Sequence, residues 1–122
     1  MAERPPRWVL DTNVVVAILN GEERANERLR DGGDVILPVV VLGELLFGAR
    51  NSARPKANEQ RLWILIGGWE IWPCDSTVAS HYADLGVRLR RLGMPIPTND
   101  QWIAATCLAA GAALASRDVH FD

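Results

Sequence analysis

The chain has 122 residues, 48% of them apolar and 23% charged, with a formal net charge of −2. That length suits a single domain over 1–122 with a real core, and the composition excludes a disordered or fibrous chain. The slightly acidic balance argues against holding nucleic acid by general electrostatics alone. After the Pro5-Pro6 break, Arg7-Trp8-Val9-Leu10 reads as a short buried strand. The apolar run from Thr12 to Leu19 is of helix length and ends at Asn20-Gly21. The charged stretch 22–31 has helical character, and Gly32-Gly33 closes it before a second strand at Val35-Ile36-Leu37.

Pro38 suits the first turn of a helix that runs through Val39 to Arg50. Another helix is expected from Pro55 to Ile66, broken by Gly67-Gly68. Trp69-Glu70-Ile71-Trp72 then alternates as a third strand bounded by Pro73. Asp75 or Ser76 can cap the long helix that follows, in which Val78, Tyr82, Leu85, Leu89 and Leu92 recur at helical spacing until Gly93. Thr98-Asn99-Asp100-Gln101 has the form of a capping box, and its helix reaches Ala110 and stops at Gly111. Ala112 to Ser116 reads as a short fourth strand. Strands alternating with helices predict an α/β fold around a parallel sheet.

No apolar run approaches the roughly 20 residues of a bilayer span. The start, Met1-Ala2-Glu3-Arg4-Pro5-Pro6, lacks the apolar stretch of a signal peptide, so a cytoplasmic protein with no membrane association is expected. Cys74 and Cys107 lie far apart and form no CxxC pair; they read as reduced thiols rather than zinc ligands.

In an open parallel sheet, chemistry gathers beyond the carboxyl ends of the strands. Asp11 follows the first strand directly, and Asp118 stands just past the fourth. Either alone reads more simply as a helix cap or turn residue. Together they place two carboxylates at one sheet edge, provided the two strands are neighbours. Glu44 interrupts the apolar run from Val39 to Phe47, and its helical neighbours Val40, Val41, Phe47 and Gly48 offer no countercharge. An unpaired buried carboxylate is costly, so Glu44 is expected to meet a cation or to lie at the open end of a cleft. Asp100 falls in the first turn of its helix, where the dipole favours an acid whatever its function.

These segments resemble the PIN-domain toxins of bacterial and archaeal VapBC toxin–antitoxin modules along nearly the whole chain. The resemblance is carried by Leu10-Asp11-Thr12-Asn13, by Val41 to Ala49 around Glu44, by Pro97 to Ala105 around Asp100, and by Ser116-Arg117-Asp118-Val119-His120-Phe121. It implies a PIN-like three-layer α/β/α sandwich on a mainly parallel sheet of four strands. Such toxins usually add a turn and a short fifth strand after the residue matching Phe121, which leaves that strand open for a chain ending at Asp122. The resemblance makes Asp11, Glu44, Asp100 and Asp118 the acidic quartet that holds Mg2+ or Mn2+, with Thr12 and Asn13 supporting the site. It further implies an endoribonuclease leaving a 5′-phosphate and a 3′-hydroxyl on RNA, a homodimer, and a cognate antitoxin whose tail lies beside the active site.

The chemistry agrees with that expectation. Carboxylates without His or Cys ligands suit hard, oxygen-seeking cations, and such ions activate water for phosphodiester hydrolysis. His81 and His120 have no metal-ligand spacing. Arg50, Arg54, Lys56 and Arg61 form one candidate set of phosphate contacts, and Arg88, Arg90, Arg91 and Arg117 another. Arg50, Arg54 and Arg117 are the foremost of these, although either set reads equally as a solvated helix face. Two other functions fit less of the sequence. A catalytically weak PIN-like binding module would keep the acids for metal or partner binding. A phosphotransferase with Asp11 as nucleophile would call for an Asp-x-Asp pair or a nearby lysine, yet position 13 is Asn13 and Lys56 is the sole lysine.

Overall fold

The computed structural model describes residues 7–22 and 34–115. The helix expected over 22–31, apart from Glu22 itself, the candidates Arg117 and Asp118, and His120 lie outside the described residues. Within them, β1 (Arg7–Leu10), β2 (Asp34–Pro38), β3 (Glu70–Trp72) and β4 (Ala113–Ala115) form one sheet in the order β3-β2-β1-β4. Every pairing is parallel. Five helices accompany the described strands: α1 (Thr12–Leu19), α2 (Val39–Arg50), α3 (Pro55–Ile66), α4 (Ser76–Arg91) and α5 (Thr98–Ala110). The expected α/β/α architecture on four parallel strands is what the chain adopts.

The two central strands are the most apolar. Val9, Leu10, Val35, Ile36 and Leu37 are all buried, as a parallel strand covered on both faces requires. Each such side chain contributes about 1.5–3 kcal/mol when fully buried. Among the described residues β3 and β4 are the outer strands, with three residues each. Helices α1, α2 and α3 pack on one another, α4 packs on α5, and α5 lies against β1 and β4. The buried Thr106 hydroxyl donates to the Trp102 carbonyl at 2.9 Å, so its burial strands no donor.

Register brings the carboxyl ends of the strands level, with Leu10 opposite Ala115 and Pro38 opposite Trp72. The Asp11 N–H donates to the Ala115 carbonyl at 3.3 Å, which extends the β1–β4 ladder to the first candidate acid. The opposite end of the sheet is closed by Arg7. Its Nη1 donates to the Ala110 carbonyl at 2.7 Å, Nη2 lies 3.8 Å from Glu70, and the guanidinium stands 5.4 Å from the centre of the Trp72 ring. A cation belongs at the last turn of α5, where the carbonyl ends carry partial negative charge.

One local expectation is corrected. The capping box at Thr98 to Gln101 does not form: Pro97 is the N-cap of α5, and no side chain caps it. The Gln101 amide instead donates to the Tyr82 carbonyl at 3.1 Å, and Trp102 stacks on Tyr82 with ring centres 4.0 Å apart. Tertiary packing of α5 on α4 has taken the side chain that the local motif would use. Asp75 does cap α4, accepting the Val78 N–H at 3.0 Å. The third strand begins at Glu70, one residue later than expected. No helix among the described residues is long and apolar enough to cross a membrane. Both cysteines are free, and burial pushes the Cys107 thiol up to about 12, which makes it an inert part of the core.

Candidate active site

The site is assembled where β1 ends. Asp11 leaves the strand with extended backbone, and its Oδ1 accepts the Val14 N–H at 3.0 Å, capping α1. The carboxylate therefore stands at a helix N-terminus, where aligned peptide dipoles favour an anion. The next residue, Thr12, turns its hydroxyl to Glu44 and donates to Oε2 at 2.7 Å. Asn13 is exposed in the first turn of α1.

Glu44 lies in the second turn of α2 and is half-buried. Its other oxygen, Oε1, accepts from the Asn99 amide at 2.8 Å. Three segments far apart in the chain thus meet at one carboxylate: the start of α1, the middle of α2 and the start of α5. Both donors are neutral, so they fix the plane of the carboxylate and leave its charge in place. An ionised carboxylate has about four lone-pair sites. The two hydrogen bonds occupy one on each oxygen.

Asp100 follows Asn99 in the first turn of α5 and is exposed at this same helix end. The structure therefore brings Thr12 and Glu44 together and sets Asp11 and Asp100 beside the two donors that hold Glu44. Among the described residues, no three His, Cys, Asp or Glu side chains form a ready cluster for an ion, and Asp118 lies outside them. Sequence reasoning missed Asn99. Its only signal was an amide beside Asp100, and nothing local showed that it would reach Glu44 across 55 positions.

The basic candidates differ in their engagement. Arg50 is clamped on Glu59, with Nε donating to Oε1 at 2.7 Å and Nη2 to Oε2 at 3.2 Å. The Arg50 bonds, with help from the Trp63 indole, hold the Glu59 carboxyl down at about 2. Arg54 is exposed at the N-cap of α3, and the Arg61 Nη2 donates to the Leu19 carbonyl at the end of α1.

A parallel sheet with acids past its carboxyl edge and a glutamate held from both flanking helices defines an α/β domain of a known kind. The PIN-domain family model matches residues 8–122, and the chain belongs to that family. Within the family it is VapC-like. It is 38% identical over 82 residues to Ribonuclease VapC4 of Mycobacterium tuberculosis, a match covering 66% of this chain and 63%, just under two thirds, of that protein. It is 27% identical over 116 residues to Ribonuclease VapC2 of Rickettsia felis, covering 92% of this chain and 87% of that one. The fold is similar to that in the crystal structure of VapBC2 from Rickettsia felis bound to a DNA fragment from their promoter. There the TM-score is 0.87 at 25% identity, with 94% of this chain and 90% of the other covered. The family expected from the sequence is the one found.

Proposed function

We propose that the chain is a Mg2+- or Mn2+-dependent endoribonuclease, the toxin of a toxin–antitoxin pair, that hydrolyses RNA phosphodiester bonds. The observation that carries this reading is the Glu44 carboxylate, held by two neutral donors, Thr12 and Asn99, which are the chain neighbours of Asp11 and Asp100. The names of its relatives as ribonucleases point the same way.

The donor set suits the ion. Carboxylate ligands without His or Cys among them favour a hard divalent cation over zinc. In this reading Asp11 is the central ligand, Glu44 and Asp100 flank it, and Asp118 completes the quartet. The chemistry such an ion supplies when bound is Lewis acidity toward water and toward the phosphodiester. The chain's own part is positional. Asp11 is fixed by its cap on α1, Glu44 by its two donors, and Thr12 by its bond to Glu44. Asn13 supports the site from the first turn of α1. Arg54 and Arg117 are the proposed phosphate contacts, and Arg50 joins them only by leaving Glu59.

An antitoxin partner and a homodimer belong to the same reading. The likeness to the VapBC2 structure supports a partner of this kind. The test is RNA cleavage by the purified protein with Mg2+ or Mn2+, against EDTA and against Asp11→Asn and Glu44→Gln. Cleavage is expected only in the unmodified protein with metal. Activity that survives EDTA, or survives both substitutions, sinks the proposal. Metal binding without cleavage favours a PIN-like binding module instead.

A further inference from the structure

A cavity of about 310 Å³ opens between α1, α2 and α3, and Thr12 and Glu44 belong to its lining, so it adjoins the acidic corner. Val16, Leu45 and Leu62 give it apolar walls, while Asn58 and Arg61 supply polar groups. Sites for small ligands span roughly 300–1,000 Å³, and this one falls at the end that admits a single nucleotide. Unpaired RNA is read by packing splayed bases on such surfaces and hydrogen-bonding their edges.

The polar groups are held in place. The Asn58 Nδ2 donates to the Ser52 hydroxyl at 2.8 Å, and Ser52 donates to the Ala49 carbonyl at 2.6 Å, which leaves the Asn58 carbonyl oxygen as an acceptor. Arg61 uses Nη2 on the Leu19 carbonyl. A guanidinium has five N–H donors, so others remain for a base acceptor or a phosphate oxygen.

We propose that this cavity is the subsite for one unpaired base of the RNA beside the cleaved phosphodiester, with Asn58 and Arg61 setting base preference. The proposal rests on the ribonuclease reading above. Gly48 supplies the means of testing it. It lines the cavity, and a Cβ built there meets nothing within 4 Å, so Gly48→Leu fills the space without a backbone clash.

The four ribonucleoside 5′-monophosphates, titrated in EDTA and followed by ¹H–¹⁵N NMR, should shift the Asn58 side-chain amide and the Gly48 backbone amide. Gly48→Leu should weaken that binding at least about tenfold, with an unchanged thermal midpoint as the check on folding. In RNA cleavage with metal, wild type should prefer one base at a fixed position beside the cut. Asn58→Ala should flatten that preference and raise KM about tenfold, with kcat within about threefold. If wild type cuts RNA but neither variant alters base preference, the subsite falls while the ribonuclease reading stands. If nucleotides bind at Asn58 but no RNA is cut, the ribonuclease reading falls and a nucleotide site remains. Unchanged nucleotide binding in Gly48→Leu overturns the proposal, and loss in that variant of binding to a peptide from the proposed antitoxin partner assigns the cavity to a protein.

Discussion

Glu44 on α2 accepts hydrogen bonds from the Thr12 hydroxyl and the Asn99 amide, whereas Glu59 on α3 accepts two from the Arg50 guanidinium and one from the Trp63 indole. Both carboxylates are well supplied with donors. They differ in where the balancing charge comes from. The chain neutralises Glu59 itself, through a bidentate pair that suits the guanidinium fork. It holds Glu44 with neutral groups, which supply no balancing charge. The two acids are thus told apart by the charge of their donors.

Breaking the first member of this pair should have the largest effect. Glu44→Gln keeps the shape and removes the charge, and cleavage of RNA should fall roughly 10²–10³-fold. The thermal midpoint should stay within a few degrees, since the side chain is only half-buried. A fall in activity matched by unfolding would mean that Glu44 is structural. Thr12→Val and Asn99→Ala each remove one donor and leave the charge, so each should cost about 10–100-fold in metal affinity, read by calorimetry with Mn2+. Equal affinity in both variants would show that the donors do not position the carboxylate.

Glu59→Gln should have the smallest effect, with cleavage within about twofold of wild type. Its signature lies in acid stability. The folded Glu59 titrates near about 2, below the ordinary 4.5, so its pair contributes fully above about 4.5 and is lost as pH falls toward about 2. The variant's thermal midpoint should lack that part of the decline between pH 5 and 2. An unchanged slope would mean that Arg50 and Glu59 are paired too loosely in solution to couple to folding.

The sequence was legible wherever one local signal decided the outcome. Apolar runs marked β1 and β2, Asp11 and Asp75 marked helix starts, and Gly111 marked a helix end with a backbone φ of 61°. It was less legible where a side chain chose between a local and a distant partner. Gln101 left its own helix turn for the Tyr82 carbonyl, and Asn99 reached Glu44. The isolation of Glu44 was visible because its own helix offers only apolar neighbours and a glycine. The neutral donors that settle its orientation come from 32 and 55 positions away, a distance that no spacing rule spans. Arg50 shows another distant choice: expected as a candidate phosphate contact, it pairs with an acid nine residues on.

The pairing of β1 with β4 also sets an order of events during synthesis. β1 is translated before its neighbour in the sheet, Ala113–Ala115, whose Ala115 carbonyl accepts the Asp11 N–H. So distant a contact is costly in loop entropy and forms late. Asn99, which fixes Glu44, is likewise translated after both Asp11 and Glu44. A nascent chain therefore carries Asp11 and Glu44 before the segments that arrange them exist. Until α5 and β4 have been made, the corner around Glu44 has only its Thr12 side.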